Sequence, residues 1–215
     1  MARGRKIAPA RNPASLKRRA GRRPPRKAML IVCEGATEKF YFEALREQHR
    51  LTQAEVVIPG GATGNDPLTL VTFAERHHRD FGPYDYIFCV FDRDVHASFG
   101  PARQRIRELA GRPRKHLPIA EAISIPSFEI WVLQHFEQTD RPFVNADAVI
   151  AHLKAASLPG YVKADVAIAR SLVQRVDAAI ANATWLVQRN EANGSDNPST
   201  NLHSLALKIR EMAGA

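Results

Sequence analysis

Cysteine is scarce. The 215 residues contain two, Cys33 and Cys89, each inside an apolar run. That excludes a disulfide framework and fits buried thiols in a reducing compartment, so a cytoplasmic location is expected. No Cys and His spacing of the zinc-binding kind occurs. No apolar run approaches eighteen residues, which excludes a transmembrane helix. The basic N-terminus is followed by no apolar segment, so a secretory signal is not expected. The stretch Gly60-Gly61-Ala62-Thr63-Gly64 lacks the Gly-Lys-Ser/Thr ending of a P-loop. Ser, His and Asp are present, but no nucleophile-elbow pattern joins them. Acid is missing altogether from residues 1–27, which hold eleven Lys and Arg. The remainder has twenty basic and twenty-two acidic residues, so the net charge of +9 resides in this leader.

The leader also contains Pro9, Pro13, Pro24 and Pro25 and few large apolar residues. Such a segment cannot bury enough surface to offset its ordering entropy, and residues 1–27 are expected to be a disordered tail. Unopposed cations attract phosphate backbones, which makes Arg18, Arg19, Arg22, Arg23, Arg26 and Lys27 candidate nucleic-acid contacts.

From residue 28 the texture changes. Ala28 to Cys33 and Tyr86 to Phe91 are continuously apolar, the mark of strands buried on both faces of a parallel sheet. Further strands are expected over 55–59 and 118–125. Between them, Thr37 reads as the N-cap of a helix over 38–50. Asp66 and Pro67 open a second helix, and a third covers 101–110. This alternation predicts a three-layer α/β sandwich with a mainly parallel sheet over 28–126. Residues 127–137, 145–156, 165–183 and 201–212 read as helices, a helical C-terminal portion over 127–215 packed on the core. Ser199 and Thr200 read as caps of the last helix.

Two of the buried strands end in acid: Cys33 runs into Glu34-Gly35, and Phe91 into Asp92-Arg93-Asp94. Sites in open parallel sheets form beyond the carboxyl ends of the strands. Asp92 and Asp94 share a face of an extended chain. Two such charges ~4 Å apart repel by about 4 kcal/mol at an effective dielectric near 20, and a hard divalent cation relieves this. Oxygen-only donors suit Mg²⁺ or Mn²⁺. The competing explanation is that the acids cap the following helices or pair with Arg93 and Lys39.

These residues carry a resemblance. An apolar strand ending in Glu-Gly, followed later by one ending in Asp-x-Asp, resembles the Toprim domain of topoisomerases, primases and OLD-type nucleases. More narrowly, the chain resembles the RloB family. The match includes the basic leader, Leu30 to Lys39 with Tyr41-Phe42, and Val90 to Asp94. It continues through Ser124 to Trp131 with His135-Phe136, Gly160-Tyr161-Val162-Lys163 and Asn197-Pro198-Ser199-Thr200. Ile125 departs from the pattern, which has Asn before the proline. The resemblance implies a Toprim-like fold and a Mg²⁺-dependent phosphodiesterase. It also implies a role in phage defence beside a partner ATPase. It makes Glu34 a general acid/base or metal ligand, and Asp92 and Asp94 metal ligands.

Other residues are read from position. Glu129 could complete a second metal site or be a first-turn acid favoured by the helix dipole. Lys163 could neutralise a transition-state phosphate. His96 is read as a loop residue and the Trp131 and Phe136 stripe as core. The expected function is a metal-dependent nuclease acting on DNA or RNA, an abortive-infection effector. The alternatives are a phosphatase of the haloacid-dehalogenase type, whose nucleophile motif Phe91 to Val95 imitates, and a non-catalytic nucleic-acid-binding protein.

Overall fold

The computed structural model describes residues 27–60, 66–93, 97–114 and 116–214. The leader through Arg26, most of the glycine-rich loop, and Asp94 to His96 lie outside them. In chain order the elements are β1 (Met29–Cys33), α1 (Ala36–Gln48), β2 (Ala54–Val57), α2 (Pro67–Phe81), β3 (Tyr86–Asp92), α3 (Phe99–Ala110) and β4 (Ile119–Ile125). There follow α4 (Glu129–Gln134), α5 (Ala146–Ala156), α6 (Val166–Val173), α7 (Val176–Asn193), β5 (Ser199–Thr200) and α8 (Leu202–Ala213).

The strands form one sheet in the order β2-β1-β3-β4-β5, parallel except for β5. The continuous apolarity of β1 has its cause in the layers. Met29, Ile31 and Cys33 face a core shared with α1 and the C-terminal helices. Leu30 and Val32 face a second core beneath α2 and α3. β3 divides likewise, with Phe88 and Val90 on the first side and Ile87, Cys89 and Phe91 on the second. Successive side chains point to opposite faces, so a strand covered on both sides must be apolar throughout. Both cysteines are buried and free. Truncating a side chain such as Leu30 to alanine would cost about 2–5 kcal/mol.

The three-layer α/β sandwich is thus as expected, with local corrections. Helix α1 begins at Ala36 with Gly35 as N-cap, so Thr37 lies inside the first turn and its hydroxyl is turned to another use. The Asp66 side chain accepts hydrogen bonds from the Leu68 and Thr69 amides and caps α2, with Pro67 in the first turn, as predicted. The helix expected over 165–183 is two. α6 packs against α1, whereas α7 turns to pack against α4 and α8. Packing on different neighbours overrides a sequence that could sustain one helix. Ser199 and Thr200 belong to a strand before α8, whose N-cap is Asn201, although the Thr200 hydroxyl still accepts from the Leu202 amide at the start of the helix at 3.4 Å. They pair antiparallel with Ile125 and Ser124, the Ser124 and Thr200 hydroxyls 3.0 Å apart. The Asn201 side chain extends this ladder, accepting from the Ile123 amide at 2.6 Å and donating to the Glu121 carbonyl at 3.2 Å. Trp131 is fully buried core. His135 is core as well, its imidazole hydrogen-bonded to Tyr41 and to the Trp131 carbonyl; burial pushes its pKa down to about 4.

Candidate active site at the carboxyl end of the sheet

β1 and β3 are neighbours in register, Cys33 beside Val90, so the residues that follow them meet. The Glu34 amide donates to the Val90 carbonyl at 3.1 Å, and the Asp92 amide donates to Glu34 Oε2 at 3.1 Å. Asp92 Oδ2 in turn accepts the Phe128 amide at 2.8 Å, linking the end of β3 to the approach to α4. Desolvation, then the charges of Glu38 and Glu34, raise the Asp92 pKa well above the carboxylate range. The Phe128 N–H opposes them.

Glu38 belongs to this group, although its position in the sequence reads as an ordinary first-turn acid. It is buried, and its Oε2 has no hydrogen-bond partner among the described residues. A Cβ on Gly35 would stand 3.1 Å from that oxygen. Burial, then Glu34 and Glu129, push its pKa up to about 7, against the opposing effects of a backbone hydrogen bond and Lys163. The available signal was the spacing itself, since Glu34 and Glu38 flank one strand-to-helix turn.

Glu129, 2% exposed, is a hub. Its Oε2 accepts the Ser127 hydroxyl at 2.7 Å, and its Oε1 accepts the Tyr161 hydroxyl at 3.0 Å and the Lys163 ammonium at 3.1 Å. Burial alone would lower the Lys163 pKa. Glu129, with Asp92 and Glu38 behind it, more than offsets that and holds it above the usual lysine value. The backbone at Ala164 is left-handed, with φ of 55°, and its amide donates to Thr37 Oγ1 at 3.1 Å. Thr37 therefore ties the Lys163 loop to the start of α1. Ser127, Tyr161 and Thr37 were invisible as a set, because more than thirty residues separate Tyr161 from Glu129.

The structure thus brings Glu34, Asp92, Glu129 and Lys163 together and adds Glu38. Asp94 and His96 lie outside the described residues, as do Arg18, Arg19, Arg22, Arg23 and Arg26. Lys27 is at the opposite end of the sheet, donating to the Tyr86 hydroxyl at 3.0 Å. The two cations proposed as partners of the strand-end acids pair otherwise: Arg93 with Asp196, and Lys39 with Glu43 at 3.6 Å. Among the described residues no three His, Cys, Asp or Glu side chains form a complete metal-ligand set. The buried, unpartnered oxygen of Glu38 beside Asp92 nonetheless fits a hard cation, as does an all-oxygen donor set.

A pH dependence follows. Glu38 holds its proton to about pH 7 when folded, against 4.5 for an ordinary glutamate. The folded state therefore binds that proton more tightly. The stabilisation is complete below the lower value and is lost as pH rises through the upper one. In cation-free buffer the urea midpoint should fall between about pH 5 and 8, and Glu38→Gln should flatten the fall. A slope unchanged in the variant would assign the dependence to other groups.

A family model for RloB-like proteins matches residues 29–209, most of the chain and all of the elements that build the site. No curated protein and no solved structure gives a significant match. The match runs from the first residue of β1 into α8, and on that evidence the chain belongs to the RloB-like family.

Proposed function

We propose that the protein is a divalent-cation-dependent nuclease of Toprim type that hydrolyses phosphodiester bonds in nucleic acid. The observation that carries this reading is the convergence of Glu34, Glu38, Asp92 and Glu129, with Lys163, beyond the carboxyl ends of adjacent parallel strands. Asp92, Glu38 and, from the sequence, Asp94 would hold Mg²⁺ or Mn²⁺. Glu129 would join them on releasing Lys163. When bound, such a cation polarises the scissile phosphate and lowers the pKa of a coordinated water.

The chain's own residues supply the rest. Lys163 stays charged and presents an ammonium to the negative charge that grows on the phosphoryl oxygens. Glu34, which accepts the Asp92 amide, would transfer a proton at the attacking or leaving oxygen. A role in phage defence and a partner ATPase are what the family resemblance adds. Purified protein incubated with total RNA and with plasmid DNA, in Mg²⁺, Mn²⁺ or EDTA, tests the reading. Cleavage of at least one polymer in the metal-containing reactions alone is expected. Intact polymers together with release of phosphate from p-nitrophenyl phosphate would replace it with a phosphatase.

A further inference from the structure

A carboxylate offers about four acceptor positions, two on each oxygen. On Glu129 both positions of Oε1 are taken, by the Tyr161 hydroxyl at 3.0 Å and the Lys163 ammonium at 3.1 Å. Oε2 accepts the Ser127 hydroxyl at 2.7 Å. A cation can reach Oε1 only by replacing one of its two donors. A cation on Oε2 alone would share the carboxylate with the ammonium, and two positive groups so close repel. Loading this carboxylate therefore displaces a donor.

The two donors differ in their freedom. Tyr161 is 1% exposed, and its ring holds the hydroxyl at the end of a rigid, buried lever. The Lys163 side chain is 54% exposed and sits on a flexible four-carbon stem. Its backbone, in contrast, is tied down on both sides. The Tyr161 side chain anchors the approach. Beyond Lys163, the Ala164 amide is held by Thr37 Oγ1, and Asp165 caps α6 by accepting the Ile168 amide at 2.9 Å. An ammonium released from Glu129 thus swings about a fixed Cα and stays within reach of the site.

We infer that Lys163 is a resident counter-cation on Glu129 that gives up its place when a divalent cation binds, and that Tyr161 is the positioning residue that holds the carboxylate through the exchange. The inference rests on the metal-dependent reading of this site and adds its loading step. The ammonium that neutralises Glu129 in the cation-free protein becomes the ammonium offered to the phosphate. The carboxylate does not turn away in between, because Tyr161 and Ser127 each keep one of its oxygens. Metal loading and delivery of positive charge to the substrate are then one event.

The test uses full-length protein stripped of cations with EDTA and desalted. Mn²⁺ binding to wild type, Lys163→Met and Tyr161→Phe is followed by loss of the free-ion EPR signal, and thermal melts check that each is folded. Lys163→Met should bind Mn²⁺ about 10-fold more tightly, because the competing charge is gone. Tyr161→Phe keeps the buried ring and should bind ~10–100-fold more weakly, the usual effect of removing a partner that orients a metal ligand. The two donors to one oxygen thus have opposite effects. In parallel, wild-type lysines are acetylated with a limiting amount of an N-hydroxysuccinimide ester, with and without Mn²⁺, and quantified by peptide mass spectrometry. Modification of Lys163 should rise with Mn²⁺ while that of Lys154, exposed on α5, stays constant. Unchanged or weaker binding by Lys163→Met would overturn the exchange and leave the nuclease reading standing. So would labelling of Lys163 that ignores Mn²⁺, which would reduce the effect of the lysine to repulsion through space. Unchanged binding by folded Tyr161→Phe would overturn its positioning role and leave it a packing residue. Wild type that binds no Mn²⁺ would overturn the exchange and the metal-dependent reading together.

Discussion

The Asp92→Asn variant is expected to lose cleavage by ~10³-fold or more while gaining stability in cation-free buffer. The first part follows from the ligand role proposed for this carboxylate. A cation on the scissile phosphate contributes several kcal/mol to the transition state, and about 4 kcal/mol is ~10³-fold in rate. The second part follows from its surroundings. Desolvation, Glu38 and Glu34 all raise the Asp92 pKa, so its ionised form is disfavoured in the fold. At pH 8 the ready ionisation of this carboxyl in the unfolded chain works against folding, and the amide removes that penalty. The amide oxygen can still accept the Phe128 N–H, which keeps the approach to α4 in place. Gel assays of cleavage and thermal melts in EDTA at pH 8 provide the measurements. A variant that cleaves at the wild-type rate would remove Asp92 from the site. A lower melting temperature would show that its charge stabilises the fold.

Lys163→Met should reduce turnover by ~10²–10³-fold, the range for removing one preorganised donor to developing charge. The methionine keeps the length of the side chain and removes the ammonium. Because the lysine pKa is held up by Glu129, the group is charged throughout the neutral range. The loss should therefore be the same at every pH from about 6 to 9, and Lys163→Arg should restore part of the rate. Single-turnover cleavage measured across that range decides the matter. A deficit that vanishes at one end of the profile would make Lys163 a proton-transfer group, and a wild-type rate would leave it only a partner of Glu129.

What could be read beforehand, and what could not, follows from the range of the forces involved. β1 and β3 were legible because burial on both faces writes itself into consecutive residues. Their terminal acids stood out against that background. Asp66 was legible as a cap because its partners are two and three residues away. Glu38 was not, because a first-turn acid has a sufficient local explanation in the helix dipole. Its place in the site rests on its burial and on the charge of Glu129, which arrives from another element. Tyr161 was missed for the same reason, since it reaches Glu129 from 32 residues away, whereas the Ser127 contact to Glu129 is local. The division between α6 and α7 leaves no proline or glycine behind, only a change of packing partner.

The two-residue strand β5 has a consequence for any attempt to isolate the sheet. Ser199 and Thr200 come from the far end of the chain, yet they and Asn201 close the outer edge of β4 from Glu121 to Ile125. A fragment ending at Pro126 would leave that edge open along most of a seven-residue strand and uncover the apolar side that faces α4 and α8. An open, apolar edge is a template on which other chains can pair. The C-terminal helices therefore also protect the sheet against self-association, and solubility of the sheet depends on residues about 170 positions from its first strand.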